Sequence, residues 1–126
     1  YIILRLGSVY GYSTDTARID IMPNLFSKIS SQNGTLKLFS GGRQLKSLVP
    51  LIDVARCFKF MEERDDLSSE TFNLVKDTLT VKKVAEICKK HNPKVELRET
   101  NDEVPNLGFL YRIKKLSILA LNFYID

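Results

Sequence analysis

The sequence predicts an α/β domain, and three observations carry that prediction. Short apolar runs such as "TLKLF" and "TFNLV" alternate with segments whose apolar residues recur at helical spacing. The first run, Ile2, Ile3, Leu4 and Leu6, is nearly continuous, as in a parallel-sheet strand covered on both faces. With 126 residues, 44% of them hydrophobic and 27% charged, the chain is long and apolar enough to bury a core.

The opening strand runs into a loop formed by Gly7, Gly11 and the polar stretch Ser13, Thr14, Asp15 and Thr16. Met22, Leu25, Phe26 and Ile29 then fall at i, i+3, i+4 and i+7, with Pro23 in the first turn, which makes an amphipathic helix. Asn33 and Gly34 end it, Leu36 and Leu38 alternate with Thr35, Lys37 and Phe39 in a short strand, and Gly41-Gly42 turns the chain. Leu48, Val49, Leu51 and Ile52 read as extended around Pro50, and Asp53 as the N-cap of a helix with Val54, Cys57, Phe58 and Met61 on one face. That helix ends in an acidic run, Glu62 to Asp66, and residues 71–75 form the next strand. Thr80 caps a helix that turns Val81, Val84, Ala85, Ile87 and Cys88 inward and places Lys89, Lys90 and His91 at its C-terminus, where the helix dipole favours cations. A strand over residues 94–97, a loop over 101–108 and a helix over 114–121 complete the order.

Composition narrows the functions. No apolar run reaches the ~18 residues of a membrane helix, and a cytoplasmic protein is expected. Cys57 and Cys88 read as free thiols buried in helices, with no zinc spacing around them. The net charge of +4 is spread over scattered lysines and arginines and is not interleaved with aromatic stacking platforms, so a solvated surface is expected and nucleic acid is not. On spacing alone, no catalytic set emerges. His91 has no Ser or Cys partner, the acidic run reads as solvated charge, and "SGGR" is too short and follows the wrong element for a phosphate loop.

Five segments nevertheless resemble one family in order. "ILRLGSVYG" resembles the strand and turn that follow the catalytic tyrosine and lysine of the extended short-chain dehydrogenase/reductases, the NAD(P)-dependent sugar-nucleotide epimerases and dehydratases. "IMPNLFSKI" is similar to the next helix, and "TLKLFSGGRQLKSLVPLIDVARCF" to the strand, glycine turn, Gln-x-Arg and V-x-D-V-A signature. "TFNLV" with "LTVKKVAEIC" resembles the Y-N-V strand and its helix, and "KKLSILALNF" the closing element. The resemblance starts after the family's Gly-rich dinucleotide loop and its Tyr-x-x-x-Lys pair, and the chain is expected to lack both. It implies the C-terminal part of a Rossmann-type enzyme, with residues 1–12 and 71–75 as strands of the Rossmann sheet and the remainder mainly a substrate-binding lobe and covering helices.

The resemblance also implies roles. Leu6, Gly7 and Val9 would flank the nicotinamide of NAD or NADP, and Ser8 would stand where the family's asparagine bonds the substrate. Phe39 would pack on the nucleobase, and Lys46 would replace the arginine that grips the diphosphate, keeping the charge but losing the planar fork. Each has a plainer alternative: a turn hydroxyl for Ser8, a core phenylalanine for Phe39 and a solvated lysine for Lys46. The family's histidine before V-x-D is Pro50 here, and its Gly-Pro is Gly11-Tyr12. The expected function is the nicotinamide wall and substrate lid of such an oxidoreductase, inactive alone. Its expected partners are a nucleotide sugar and the N-terminal Rossmann half, with a homodimer left open and no membrane. A non-catalytic cofactor-binding relative and a basic nucleic-acid-binding α/β module are the alternatives.

Overall fold

The computed structural model describes residues 1–102, so the helix expected over 114–121, the closing segment and most of the loop over 101–108 lie outside the described residues. The elements are β1 (Ile2–Leu6), β2 (Ser8–Tyr10), α1 (Met22–Ser31), β3 (Thr35–Phe39), a 3₁₀ turn (Ser40–Gly42), β4 (Leu45–Pro50), α2 (Leu51–Glu62), β5 (Glu70–Leu74), β6 (Asp77–Thr80), α3 (Val81–His91) and β7 (Glu96–Thr100). They form three small sheets with the orders β1-β5, β2-β4-β6 and β3-β7. β1 runs parallel to β5, β2 to β4 and β3 to β7, while β6 lies antiparallel to β4. The opening run is thus shared: Ile2 to Leu6 pair with Glu70 to Leu74, and after Gly7 the chain pairs Ser8 with Leu48 in another sheet.

Two cores result. Phe26, Leu36, Leu38, Leu48, Val81, Val84, Ala85 and Val95 form the first, beneath α1 and α3. Val49, Val54, Cys57, Met61, Phe72 and Leu74 form the second, with Ile2, Leu4, Leu6 and Val9 packed against it. At ~1.5–3 kcal/mol for each large side chain fully buried, these clusters dominate the favourable energy of the fold.

Four expectations need correction. β1 is not covered on both faces by the described residues: Ile2, Leu4 and Leu6 turn inward and Ile3 is 48% exposed. Helix α2 starts at Leu51, with Pro50 as N-cap and Asp53 in the first turn, because a proline with fixed φ and no N–H is well suited to a helix start. Asp53 instead joins elements, accepting Arg56 at 3.4 Å within the helix and Lys76 at 3.3 Å from beyond β5. Phe58 and Ile87 face solvent; the buried stripe of α2 centres on Cys57 and that of α3 on Ala85, each fully buried, and both side chains fall outside those stripes. β6 was not anticipated. Its last residue, Thr80, also caps α3 as expected, its Oγ1 accepting the Lys83 N–H at 3.1 Å. Both cysteines are free, Cys57 buried and Cys88 half-buried, and burial pushes the Cys57 thiol up.

Candidate functional site

A cleft of about 490 Å³ opens where the shared run ends. The stretch from Gly7 to Gly11 forms one wall; Ser13, Thr16 and Arg18 project from the following loop, and Asn24 of α1 and Leu51 of α2 complete the lining. Gly7 is buried, donates its N–H to the Leu74 carbonyl at 3.0 Å, and has no room for a side chain: a Cβ would lie 2.8 Å from the Ser47 carbonyl oxygen. Its size is therefore dictated by the close approach of β4. Ser8 is exposed, and its hydroxyl has no hydrogen-bond partner among the described residues, so it is not a turn hydroxyl tied to its own loop. Tyr10 packs against the first core, and burial, followed by the negative charge of Asp77, pushes its phenol above its ordinary range.

Among the described residues, one side chain bonds both ends of the loop. Asn24 Oδ1 accepts the Gly11 N–H at 3.1 Å, and Asn24 Nδ2 donates to the Arg18 carbonyl at 2.9 Å. Within the loop, Ser13 Oγ lies 2.9 Å from Thr16 Oγ1 and accepts the Thr16 N–H at 3.2 Å, a side-chain turn. Arg18 donates to both carboxylate oxygens of Asp20, at 2.9 and 3.3 Å, and the guanidinium holds that carboxyl below its usual range.

No family model matches the chain, and neither does any curated protein. Solved structures do match. A UDP-glucose 4-epimerase from Thermotoga maritima, solved with UDP-glucose, superposes at TM-score 0.76 over 94% of this chain with 19% identity. A UDP-glucuronic acid 4-epimerase from Bacillus cereus, with UDP-glucuronic acid and NAD, gives 0.74 over 94% with 20% identity. An NAD-dependent NDP-hexosamine 5,6-dehydratase of tunicamycin biosynthesis gives 0.70 over 92% with 21% identity. The fold is that of part of an extended short-chain dehydrogenase/reductase. The chain spans 38% of the length of each of these three proteins.

Within this partial dehydrogenase/reductase fold, the cleft brings together Gly7, Ser8 and Val9 of the anticipated residues and leaves Leu6, Phe39 and Lys46 out of its lining. Leu6 packs into the second core. Phe39 ends β3 at 48% exposure, on the opposite face from the fully buried Leu36 and Leu38, so the core alternative does not hold for it. Lys46 lies half-buried on β4 opposite Leu79, with no ion pair among the described residues. The "SGGR" stretch, set aside as a phosphate loop, is a turn with left-handed φ at Ser40, Gly41 and Gly42, bordering a second concavity of about 370 Å³ with Arg43, Lys82 and Glu99. Lys82 is paired there with Glu99 at 2.8 Å.

Sequence reasoning missed Arg18 and Asn24. The loop composition gave no role to the first, and the second reads as an ordinary polar helix position after Pro23. It also misjudged one spacing: Tyr-x-x-x-Lys does occur, at Tyr111 and Lys115, outside the described residues and C-terminal to every described element. Among the described residues, no group of three or more His, Cys, Asp or Glu could hold a metal ion, and no helix is long and apolar enough to cross a membrane.

Proposed function

We propose that this chain supplies the nicotinamide wall and the substrate lid of an NAD(P)-dependent nucleotide-sugar epimerase/dehydratase-like oxidoreductase. One observation carries the reading: the shared run passes from one sheet to another at Gly7 and ends on a cleft lined by Ser8, whose hydroxyl has no hydrogen-bond partner among the described residues. The residues fit one face of a flat ring. Leu6 and Gly7 can approach it only through backbone, since the Leu6 side chain is committed to the core and Gly7 has none, while Val9 adds a small apolar surface. They do not fit the cofactor's pyrophosphate, for no Gly-rich strand-to-helix loop is present in the sequence. A bound NAD(P) would supply the hydride acceptor and donor for chemistry at the sugar.

This chain's own residues orient and screen. Ser8 can donate to or accept from a sugar hydroxyl. Lys46 offers a charge-assisted contact to a diphosphate, looser in geometry than the fork of an arginine. Phe39 presents an exposed aromatic face to a nucleobase.

Calorimetry on the full-length protein and on the chain alone tests the reading. The full-length protein should bind a UDP-sugar and NAD(H), whereas the chain alone should not bind NAD(H) measurably; micromolar binding by the chain alone would overturn the assignment. Lys46→Ala in the full-length protein should weaken the UDP-sugar by roughly ten- to a hundredfold, as for the loss of a ~1.5–3 kcal/mol charge-assisted bond. Cofactor affinity should stay the same.

A further inference from the structure

Among the described residues that line the cleft, Arg18 alone carries a charge. The same lining carries four hydroxyl-bearing side chains, Ser8, Tyr10, Ser13 and Thr16, which are neutral hydrogen-bonding groups. Among the described residues, no carboxylate lines the cleft; the partner of Arg18, Asp20, is outside the lining. A cavity with one cation, several hydroxyls and no acid is complementary to an anion.

The geometry of the pair fits that use. Asp20 takes donors from Nε and Nη2 of Arg18, and a guanidinium has five N–H donors in a rigid fork, so Nη1 and the second hydrogen of Nη2 remain. Asp20 therefore fixes the plane of the fork without exhausting it. The side chain is 70% exposed, leaving those donors accessible. Asn24 fixes the backbone beneath it, bonding the Arg18 carbonyl with one end of its amide and the Gly11 N–H with the other.

We propose that Arg18 is the residue by which the cleft reads an anionic oxygen group of its ligand, and that Asn24 is the positioning residue that presents it. The inference rests on the nucleotide-sugar reading above. A carboxylate on the sugar and a phosphate of the nucleotide share this chemistry, and the ligand series separates them.

The test measures dissociation constants of UDP, UDP-glucose and UDP-glucuronic acid with the full-length protein and its variants. Arg18→Gln is expected to weaken UDP-glucuronic acid by roughly ten- to a hundredfold while leaving UDP and UDP-glucose within about twofold, which assigns the contact to the sugar carboxylate. A similar loss for all three ligands assigns it to the diphosphate. Asn24→Ala should lower the same affinities in the same pattern by a smaller factor. Asn24→Asp, which keeps the acceptor for Gly11 but loses the donor to Arg18, should do likewise with the fold preserved by circular dichroism. A purely structural asparagine would lower thermal stability while leaving the affinities for all three ligands unchanged, and that result would overturn its positioning role. Unchanged binding of every ligand by Arg18→Gln would overturn the inference while leaving the nucleotide-sugar reading in place. A wild-type protein that binds none of the three would remove that reading, and this one with it.

Discussion

The lobe of α1, α3, β3 and β7 and the layer of β1, β5 and α2 are built from similar apolar patterns but finish their outer surfaces differently. In the lobe, Leu36 and Leu38 are fully buried, while α3 turns Lys82, Lys83, Glu86, Lys89 and Lys90 to water. In the layer, Cys57, Phe72 and Leu74 are buried but the inward Ile2, Leu4 and Leu6 of β1 are only half-buried, β1 leaves Ile3 outside, and α2 exposes Ile52 at 58% and Phe58 at 56%. An amphipathic element with a charged outer face is complete in water. One with apolar residues on both faces keeps surface that the hydrophobic effect would rather cover. The two regions therefore differ in degree on both counts: β3 buries its inner leucines more fully than β1 does, and the lobe exposes Phe39 and Ile87 where the layer exposes Ile3, Leu51, Ile52 and Phe58.

The largest effect should come from cutting into the lobe. Leu38→Ala should cost about 2–5 kcal/mol in urea denaturation, since a fully buried leucine leaves a cavity. Ile3→Ser in the layer should shift stability by no more than ~0.5 kcal/mol. Equal losses at the two sites would break the comparison. Gly7 tests the seam between the regions, because a Cβ there meets Ser47 of β4 and Val75 just beyond β5. Gly7→Ala should cost roughly 1–3 kcal/mol by overpacking, and Ser8→Ala, next in sequence but open to the cleft, much less. A harmless Gly7→Ala would mean that β4 can draw back and that the seam is soft.

The smallest effect is alkaline and belongs to the lobe side. The Tyr10 phenol is raised above its ordinary range, chiefly by burial. The folded state then binds that proton more tightly than the unfolded chain, so the contribution is intact below pH ~10 and is lost as pH rises through the folded value. Tyr10→Phe should flatten the fall in stability above pH ~10 and leave neutral-pH behaviour nearly unchanged. An identical alkaline profile in both proteins would place the titration elsewhere.

Much of the fold was legible in the sequence because local pattern and tertiary context agreed. Met22, Phe26 and Ile29 mark a helix face that does pack on the first core, and Thr80 caps the helix that it announces. The failures lie where context decides. Pro50 excludes a helix interior but equally suits a helix start, and only the packing of Val54 against the second core fixes α2 to begin at Leu51. β6 is a polar four-residue strand defined by its pairing with β4, which no local pattern encodes. At the site, the strand-to-turn run was readable, but the reason for Gly7 was not, because it lies in the Ser47 carbonyl, distant in sequence. Arg18 and Asn24 were silent for the same reason: their significance is a pair of hydrogen bonds across 13 and 6 positions of the chain.

The Asn24 clamp also bears on how such a cleft could diversify. Both ends of the loop are tied to one amide, at Gly11 and at Arg18, and the residues between them bond mainly to one another. Insertions or deletions confined to residues 12–17 leave both anchors and the helix that bears them in place. Exposed segments of this kind absorb changes of length at little energetic cost. Here the loop can lengthen or shorten over a fixed frame, so the shape of the cleft mouth can drift between lineages while the sheets beneath stay the same.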